Sequence, residues 1–340
     1  ERKIVFKVIR EVLKCFSKNL GNKIYNKLTS HYRKKRENVI PNYHLHLISK
    51  INPDVIIAPD LSHDLPEKYN IMNDLHEVMY YINSEVDLEV KKAQEKDLER
   101  AKGIICVTPQ IAHKFYNKFY EEGKVIVIPN APLLSLCPKK TNFEGSDKVK
   151  FLVHGNLHGD LEVKEYLSVN FIKAFIKTNS KAILYLRYMN NRSDQVKDIK
   201  KLFSEETKAG KIVFLNPIHG GITKEIQNTM KEFDVGIIIS PVNFSPMYKI
   251  ASPNRLGTYL HSGLAVLHNE SEFVKQTVQE ANAGICFGES EEDIISKVNY
   301  LCEHPEELKQ MKINAYKFAK ETFNYDNYGK SLIKMIENIK

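Results

Sequence analysis

Ser252, Pro253, Asn254 and Arg255 open a helical pattern that runs through Leu260 and stops at Gly263. Serine is a favoured N-cap, and proline suits the first helical turn, where its missing N–H would have had no partner anyway. Such a start leaves the N–H groups of Asn254, Arg255 and Leu256 pointing out of the helix end, where partial positive charge gathers. Arg255 adds a full charge. A helix start equipped in this way suits an anion, a diphosphate in particular. The plainer alternative is a capped helix carrying a surface arginine. Gly263 then ends the helix in the left-handed conformation, and Leu264 to Leu267 reads as a buried strand.

The elements that must position this start form two series of alternating strands and helices. PDVIIAP (53–59), the poorer YNIMND (69–74), KGIICVTP (102–109) and KVIVIPNAP (124–132) are strand-like, with helices over 85–100 and 109–123. Residues 133–148 lack periodicity and carry Pro, Gly, Ser and Asn, as a linker does. Then follow KVKFLVHGN, a helix over 162–178, AILYLRY, a helix over 194–208, KIVFLNP, a helix over 222–232, DVGIIISP and GLAVLHN. Helices over 291–303 and 305–322 and the segment YDNYGKSLIKMIENIK close the chain. Such alternation predicts parallel sheets with right-handed crossovers, in two Rossmann-like domains. Ligands of open parallel sheets sit outside the carboxyl ends of strands. That rule selects Gly155-Asn156, the loop Pro217 to Gly221 containing Ile218 and His219, and the loop Ser240 to Pro253.

Composition narrows the class. A chain of 340 residues with 42% hydrophobic and 27% charged residues is an ordinary globular protein of two-domain size. No apolar run approaches the roughly 20 residues needed to cross a bilayer, and no signal peptide is evident. The first residue is Glu1 rather than Met, as in a piece of something longer. Five scattered cysteines without a C-x-x-C pair argue against a disulfide framework and a zinc site, and fit a reducing cytoplasm. The formal net charge is +8, yet residues 1–36 alone hold twelve Lys and Arg against two Glu. Val5, Ile9, Val12, Phe16, Leu20, Ile24 and Leu28 recur there at near-helical spacing. A basic amphipathic segment of this kind reads as an element for an anionic membrane surface, with a solvated domain helix as the alternative. Sparse aromatic interleaving and the lack of a binding module speak against nucleic acid.

PNRLGTYLHSGLAVL resembles the P-N-K-L-x-E-Y-x-x-x-G-x-P-V segment of retaining GT-B glycosyltransferases of family 4. Other pieces fall in the order that family shows. They are PDVIIAPDLSHDLP, IMNDLHE, RAKGIICVTPQIAHKF, KVIVIPNAP, FLVHGNL and the final FNYDNYGKSLIKMIENI, together spanning roughly residues 41–340. The resemblance implies a GT-B fold, two Rossmann-like domains facing a central cleft. An acceptor-side domain would occupy 1–132, a linker 133–148, and a domain binding the nucleotide-sugar donor 149–322. A terminal helix over 323–340 would cross back to the first domain. Arg255 takes the place of the family's lysine beside the diphosphate, with the backbone of Ser252, Pro253 and Asn254 meeting the same phosphates. Gly155 and Asn156 open the second domain's binding loop, and Ile218 and His219 lie where the nucleotide base is met. His76 matches the first-domain histidine that reaches the donor sugar.

The chain also departs from the family pattern. Thr258 stands where the family's second motif glutamate would be, which leaves it a weaker hydroxyl for a ribose. The usual cations after the second-domain glycine are missing, and Arg187 or Lys249 would have to replace them. The segment before Pro53 is too short for a complete first domain, so that domain is expected to be shortened. No D-x-D, G-x-S-x-G, Walker A or H-E-x-x-H motif occurs. The expectation is a retaining glycosyltransferase needing no metal or cofactor. It would act on a glycan, lipid-linked or protein-linked acceptor at the inner face of a membrane, in surface polysaccharide or glycoconjugate synthesis. A non-catalytic scaffold of the same fold and a nucleotide-sugar epimerase are the alternatives.

Overall fold

The computed structural model describes residues 48–59, 65–66, 68–75, 78, 88–140, 142–155, 167–188, 193–218, 228–242 and 247–339. Short apolar runs bounded by Pro, Gly and Asn form the strands. β1 (Val55–Pro59), β2 (Asn70–Leu75), β3 (Gly103–Cys106) and β4 (Val125–Val127) make a four-stranded parallel sheet in that order. Every residue of β3 is buried, as an unbroken apolar run requires when both sheet faces are covered. The connecting helices are α1 (Leu88–Arg100) and α2 (Pro109–Glu121). The Thr108 hydroxyl accepts the Ile111 N–H at 3.2 Å and Pro109 fills the first turn, so α2 begins where its sequence says it should.

The second series builds β5 (Val149–Gly155), α3 (Leu167–Phe175), β6 (Ala182–Tyr188), α4 (Ser193–Leu202), α5 (Ser204–Lys208), β7 (Ile212–Phe214) and β8 (Val235–Ile238). It continues with α6 (Met247–Ile250), α7 (Asn254–His261), β9 (Ala265–His268), α8 (Glu272–Ala281), β10 (Gly284–Cys286), α9 (Glu291–Glu303) and α10 (Pro305–Glu321). The sheet is parallel throughout, with order β10-β9-β8-β5-β6-β7. The chain runs outward one way from β5 through β6 to β7, and the other way from β8 through β9 to β10. The order therefore reverses between β5 and β8, and the crevice above that pair is the place such a sheet offers a ligand.

Three elements differ from the sequence reading. The helix expected over 194–208 breaks at Phe203, whose φ of −112° and ψ of 38° are not helical. Its ring is buried in the core of the second domain, which overrides the local helical pattern. Helix α8 and strand β10 lie where the sequence reading placed no element.

Helix α11 (Tyr325–Ile339) returns to the first sheet. Its Tyr328, Leu332, Met335, Ile336 and Ile339 pack on Met72, Ile105 and Ile128. The opposite face of that sheet buries Leu75, Ile104 and Cys106 beneath Leu98, Ile111 and Tyr116. Met247 and Ile250 of α6 join this same cluster from the second series, so apolar contact ties the two halves together. Among the described residues no helix is long and apolar enough to cross a membrane. The basic segment 1–36 lies outside the described residues.

Candidate functional site

His154 and Arg187 are register partners at the carboxyl ends of β5 and β6, and both are buried. The Arg187 guanidinium lies 5.9 Å from the centre of the Phe233 ring, and its Nη1 donates to the Thr229 hydroxyl at 3.2 Å. Its Nε and the Nδ1 of His154 are buried without a hydrogen-bond partner among the described residues. The next residue, Gly155, has φ of +132°, a conformation only glycine adopts readily. A Cβ added there would lie 4.0 Å from Nη1 of Arg255. Glycine thus lets the strand turn away while the Arg255 guanidinium closes over the turn.

Arg255 is held there by the next turn of its own helix. Four residues on, Tyr259 is fully buried, and its hydroxyl enters the gap between β5 and β8. That hydroxyl accepts the His154 backbone N–H at 3.0 Å and lies 3.3 Å from the carbonyls of Leu152 and Ile237. The loop after β8 is fixed by Asn269, whose Oδ1 accepts the Ser240 N–H at 2.8 Å and whose Nδ2 donates to the Ser240 carbonyl at 2.7 Å.

The electrostatics follow from this packing. Burial, with the positive charges of Arg187 and Arg255, pushes the His154 imidazole down to about 4. Burial also lowers both guanidiniums from their ordinary value, yet arginine stays charged at neutral pH. A neutral imidazole therefore stands beside two desolvated cations at the switch point. An anion entering there would relieve that cost, because its charge replaces the water the cations have lost.

The start of α7 differs from the expected cap. Pro253 is the N-cap, no side chain caps the helix, and Pro253 has no N–H of its own to give. The Ser252 hydroxyl instead accepts the backbone N–H of Asn130 at 3.1 Å, and its carbonyl accepts the Asn130 amide at 2.7 Å. Ser252 is a pin between the exit of the first domain and the start of α7. Leu256, expected to offer its N–H outward, donates it to the Pro253 carbonyl at 2.9 Å. Asn254 itself is exposed at the helix start. The Thr258 hydroxyl donates to the Asn254 carbonyl at 3.0 Å, and the residue is buried.

Of the remaining candidates, Gly155, Arg187 and Arg255 come together. Ile218 packs half-buried on the apolar core behind α7. Lys249 is exposed on α6, its carbonyl accepting the Ser271 hydroxyl at 3.2 Å. His76, Asn156 and His219 lie outside the described residues. The sequence reading missed His154, although a lone histidine closing the apolar run FLV just before the glycine was the available sign. Among the described residues no group of three or more His, Cys, Asp or Glu could hold a metal ion. A separate cavity of about 410 Å³ opens at the other end of the sheet, beside linker residues Phe143 and Asp147. There Lys312 and Asp234 pair at 2.6 Å and compensate each other.

No protein-family model matches the chain, and no curated protein does. Solved structures do match. Sucrose-phosphate synthase from Thermosynechococcus elongatus is 12% identical with a TM-score of 0.65, over 87% of this chain and 76% of that one. A glycosyltransferase from Rickettsia africae is 13% identical with a TM-score of 0.65, over 92% and 87%. HepE from Anabaena, solved in complex with UDP-glucose, is 12% identical with a TM-score of 0.62, over 86% and 81%. The chain shares their two-domain α/β fold.

Proposed function

We propose that this chain, having the GT-B fold, is a glycosyltransferase that takes a nucleotide-sugar donor at the carboxyl edge of its second sheet. The observation that carries the reading is Arg255 over Gly155 at the switch point, beside the buried Arg187. Two guanidiniums and a helix start in one desolvated crevice match the charge of a diphosphate better than that of a neutral metabolite.

Departure of the nucleoside diphosphate is the difficult step in such a transfer. Negative charge grows on the leaving phosphate, and donors already aimed at that position lower the barrier without reorganising. Arg255 and the first turn of α7 fill this role in our reading, while His76 meets the donor sugar from the first domain. The finer reading is transfer with retention, without metal or cofactor, to a glycan, lipid-linked or protein-linked acceptor. Segment 1–36 would hold the enzyme against the anionic inner face of a membrane. The internal bond of Thr258 favours a second reading, a non-catalytic partner of an active transferase, because it takes the hydrogen that the hydroxyl could give to a ribose and leaves only its lone pairs.

A thermal-shift screen of the chain against UDP, GDP, ADP, TDP, CMP and their sugar derivatives tests the proposal. Ligand at about 100 times its Kd stabilises by roughly 2.7 kcal/mol, a shift of several degrees. One responder lost in Arg255→Ala, followed by sugar transfer or donor hydrolysis, supports the transferase. Binding without either reaction supports the partner reading, and silence across the panel overturns both.

A further inference from the structure

We infer that His154 and Arg187 complete, with Arg255, a three-sided cradle for the diphosphate, and that His154 takes up a proton when the anion binds. This rests on the donor site proposed above and adds His154 and a proton linkage to it.

The first support is placement. Paired register puts the side chains of His154 and Arg187 on the same face of neighbouring strands, one residue before each strand ends. Arg255 approaches from α7 across Gly155. The second support is hydrogen-bond accounting. Buried polar groups are nearly always paired, yet Nδ1 of His154 and Nε of Arg187 have no partner among the described residues. Two unpartnered nitrogens side by side, at the edge where this kind of sheet binds ligands, are a site prepared for an acceptor. A phosphate oxygen is such an acceptor, and it carries the charge the guanidiniums lack.

The third support is the balance of charge around the imidazole. Arg187 faces it from β6 and Arg255 from α7, while the Tyr259 hydroxyl is bonded to its backbone N–H. With the crevice empty, both cations oppose protonation, as does burial. A bound diphosphate reverses the local potential, and the imidazole then gains from holding a proton on each nitrogen, one of them donated to the anion. The proton comes from solvent; no covalent bond forms or breaks. By linkage, affinity rises as pH falls, by at most about tenfold per pH unit for one proton.

Titration calorimetry of the full chain with inorganic pyrophosphate and with UDP and GDP, at pH 6 and 7.5 in buffers of different ionisation enthalpy, tests this. The expected result is net proton uptake with pyrophosphate and with at least one nucleotide, abolished in His154→Gln. Arg187→Met should weaken both probes at least tenfold. A histidine Cε1–H resonance that shifts on adding pyrophosphate to the unaltered chain gives the same answer without a variant. Nucleotide binding with no proton uptake overturns the cradle and leaves the donor site standing. Pyrophosphate binding with uptake, but no nucleotide binding, supports the cradle and removes the nucleotide reading. No binding of any probe overturns both.

Discussion

The ring of Tyr259 fills the space that a side chain at position 236 would need: a Cβ built on Gly236 would lie 2.3 Å from Cγ of that ring. Strand β8 is therefore a seat for α7, and the seat decides where Arg255 stands one turn away. Gly236→Ala should cost about 1–3 kcal/mol through overpacking. Because the displaced element carries the candidate site, diphosphate affinity should fall with it. Tyr259→Phe keeps the ring but leaves the His154 N–H without its acceptor, at about 1–3 kcal/mol. Denaturant midpoints and nucleotide titration on both variants check the pair; unchanged affinity in Gly236→Ala would break the link between seat and site.

Arg255→Ala should reduce kcat/KM for sugar transfer by about 10²–10³, the usual effect of removing one donor aimed at developing charge. Arg255→Lys should recover only part of that, because an ammonium cannot make two parallel bonds to a phosphate. Steady-state kinetics on the three proteins decide it, and full activity in Arg255→Ala would remove Arg255 from the mechanism.

Arg187 should behave in the opposite way for stability. The residue is 6% exposed and its Nε has no partner among the described residues, a buried charge held at a cost. Arg187→Met should raise Tm by a few degrees, roughly 1 kcal/mol, while weakening nucleotide binding. Calorimetric melts with and without ligand measure both; a lower Tm would mean that the contacts with Thr229 and Phe233 outweigh desolvation.

The imidazole of His154 makes stability depend on acid. Its folded value of about 4 lies below the ordinary 6.5, so between those pH values the unfolded chain binds more protons than the folded one. Stability is therefore complete above pH 6.5 and falls as pH drops toward 4, by about 3 kcal/mol from this group. Burial pushes His261 and His268 the same way. Urea midpoints from pH 7.5 to 4.5 should decline, and His154→Gln should flatten the slope.

Asn130 holds the start of α7 through two bonds to Ser252. Asn130→Ala removes the amide bond, worth about 1 kcal/mol, and leaves the backbone bond in place. Faster limited proteolysis of the 133–148 linker is expected, with the melting point falling only a few degrees. Unchanged proteolysis would show that the apolar contacts of Met247 and Ile250 suffice.

The strand and helix alternation was readable because both sheets are buried on two faces. VIIAP, GIIC and VGII are unbroken apolar runs of a kind that surface elements rarely show. Arg187 was reachable by asking which cation could replace missing ones. Ser252 misled because its strongest local tendency, to cap a helix, lost to a partner 122 residues away. At Thr258 the residue type was visible in the sequence, but the donation of its hydroxyl to the Asn254 carbonyl was not. Helix α8 was legible in principle, because Phe273, Val274, Val278 and Ala281 share one face of SEFVKQTVQEA and are buried in the cluster that holds α7 and β9.

The return of α11 to the first sheet also shapes how the chain is made. Met72, Ile105 and Ile128 leave the ribosome well before their cover, Leu332 to Ile339. At about 5–20 residues per second, some 10–40 s separate β4 from its covering helix. During that time one face of the nascent first domain is bare apolar surface beside unpaired strand edges, a substrate for chaperones. Helix α11 is thus the step that commits the first domain, and a chain cut before it would aggregate although every residue of both sheets is present.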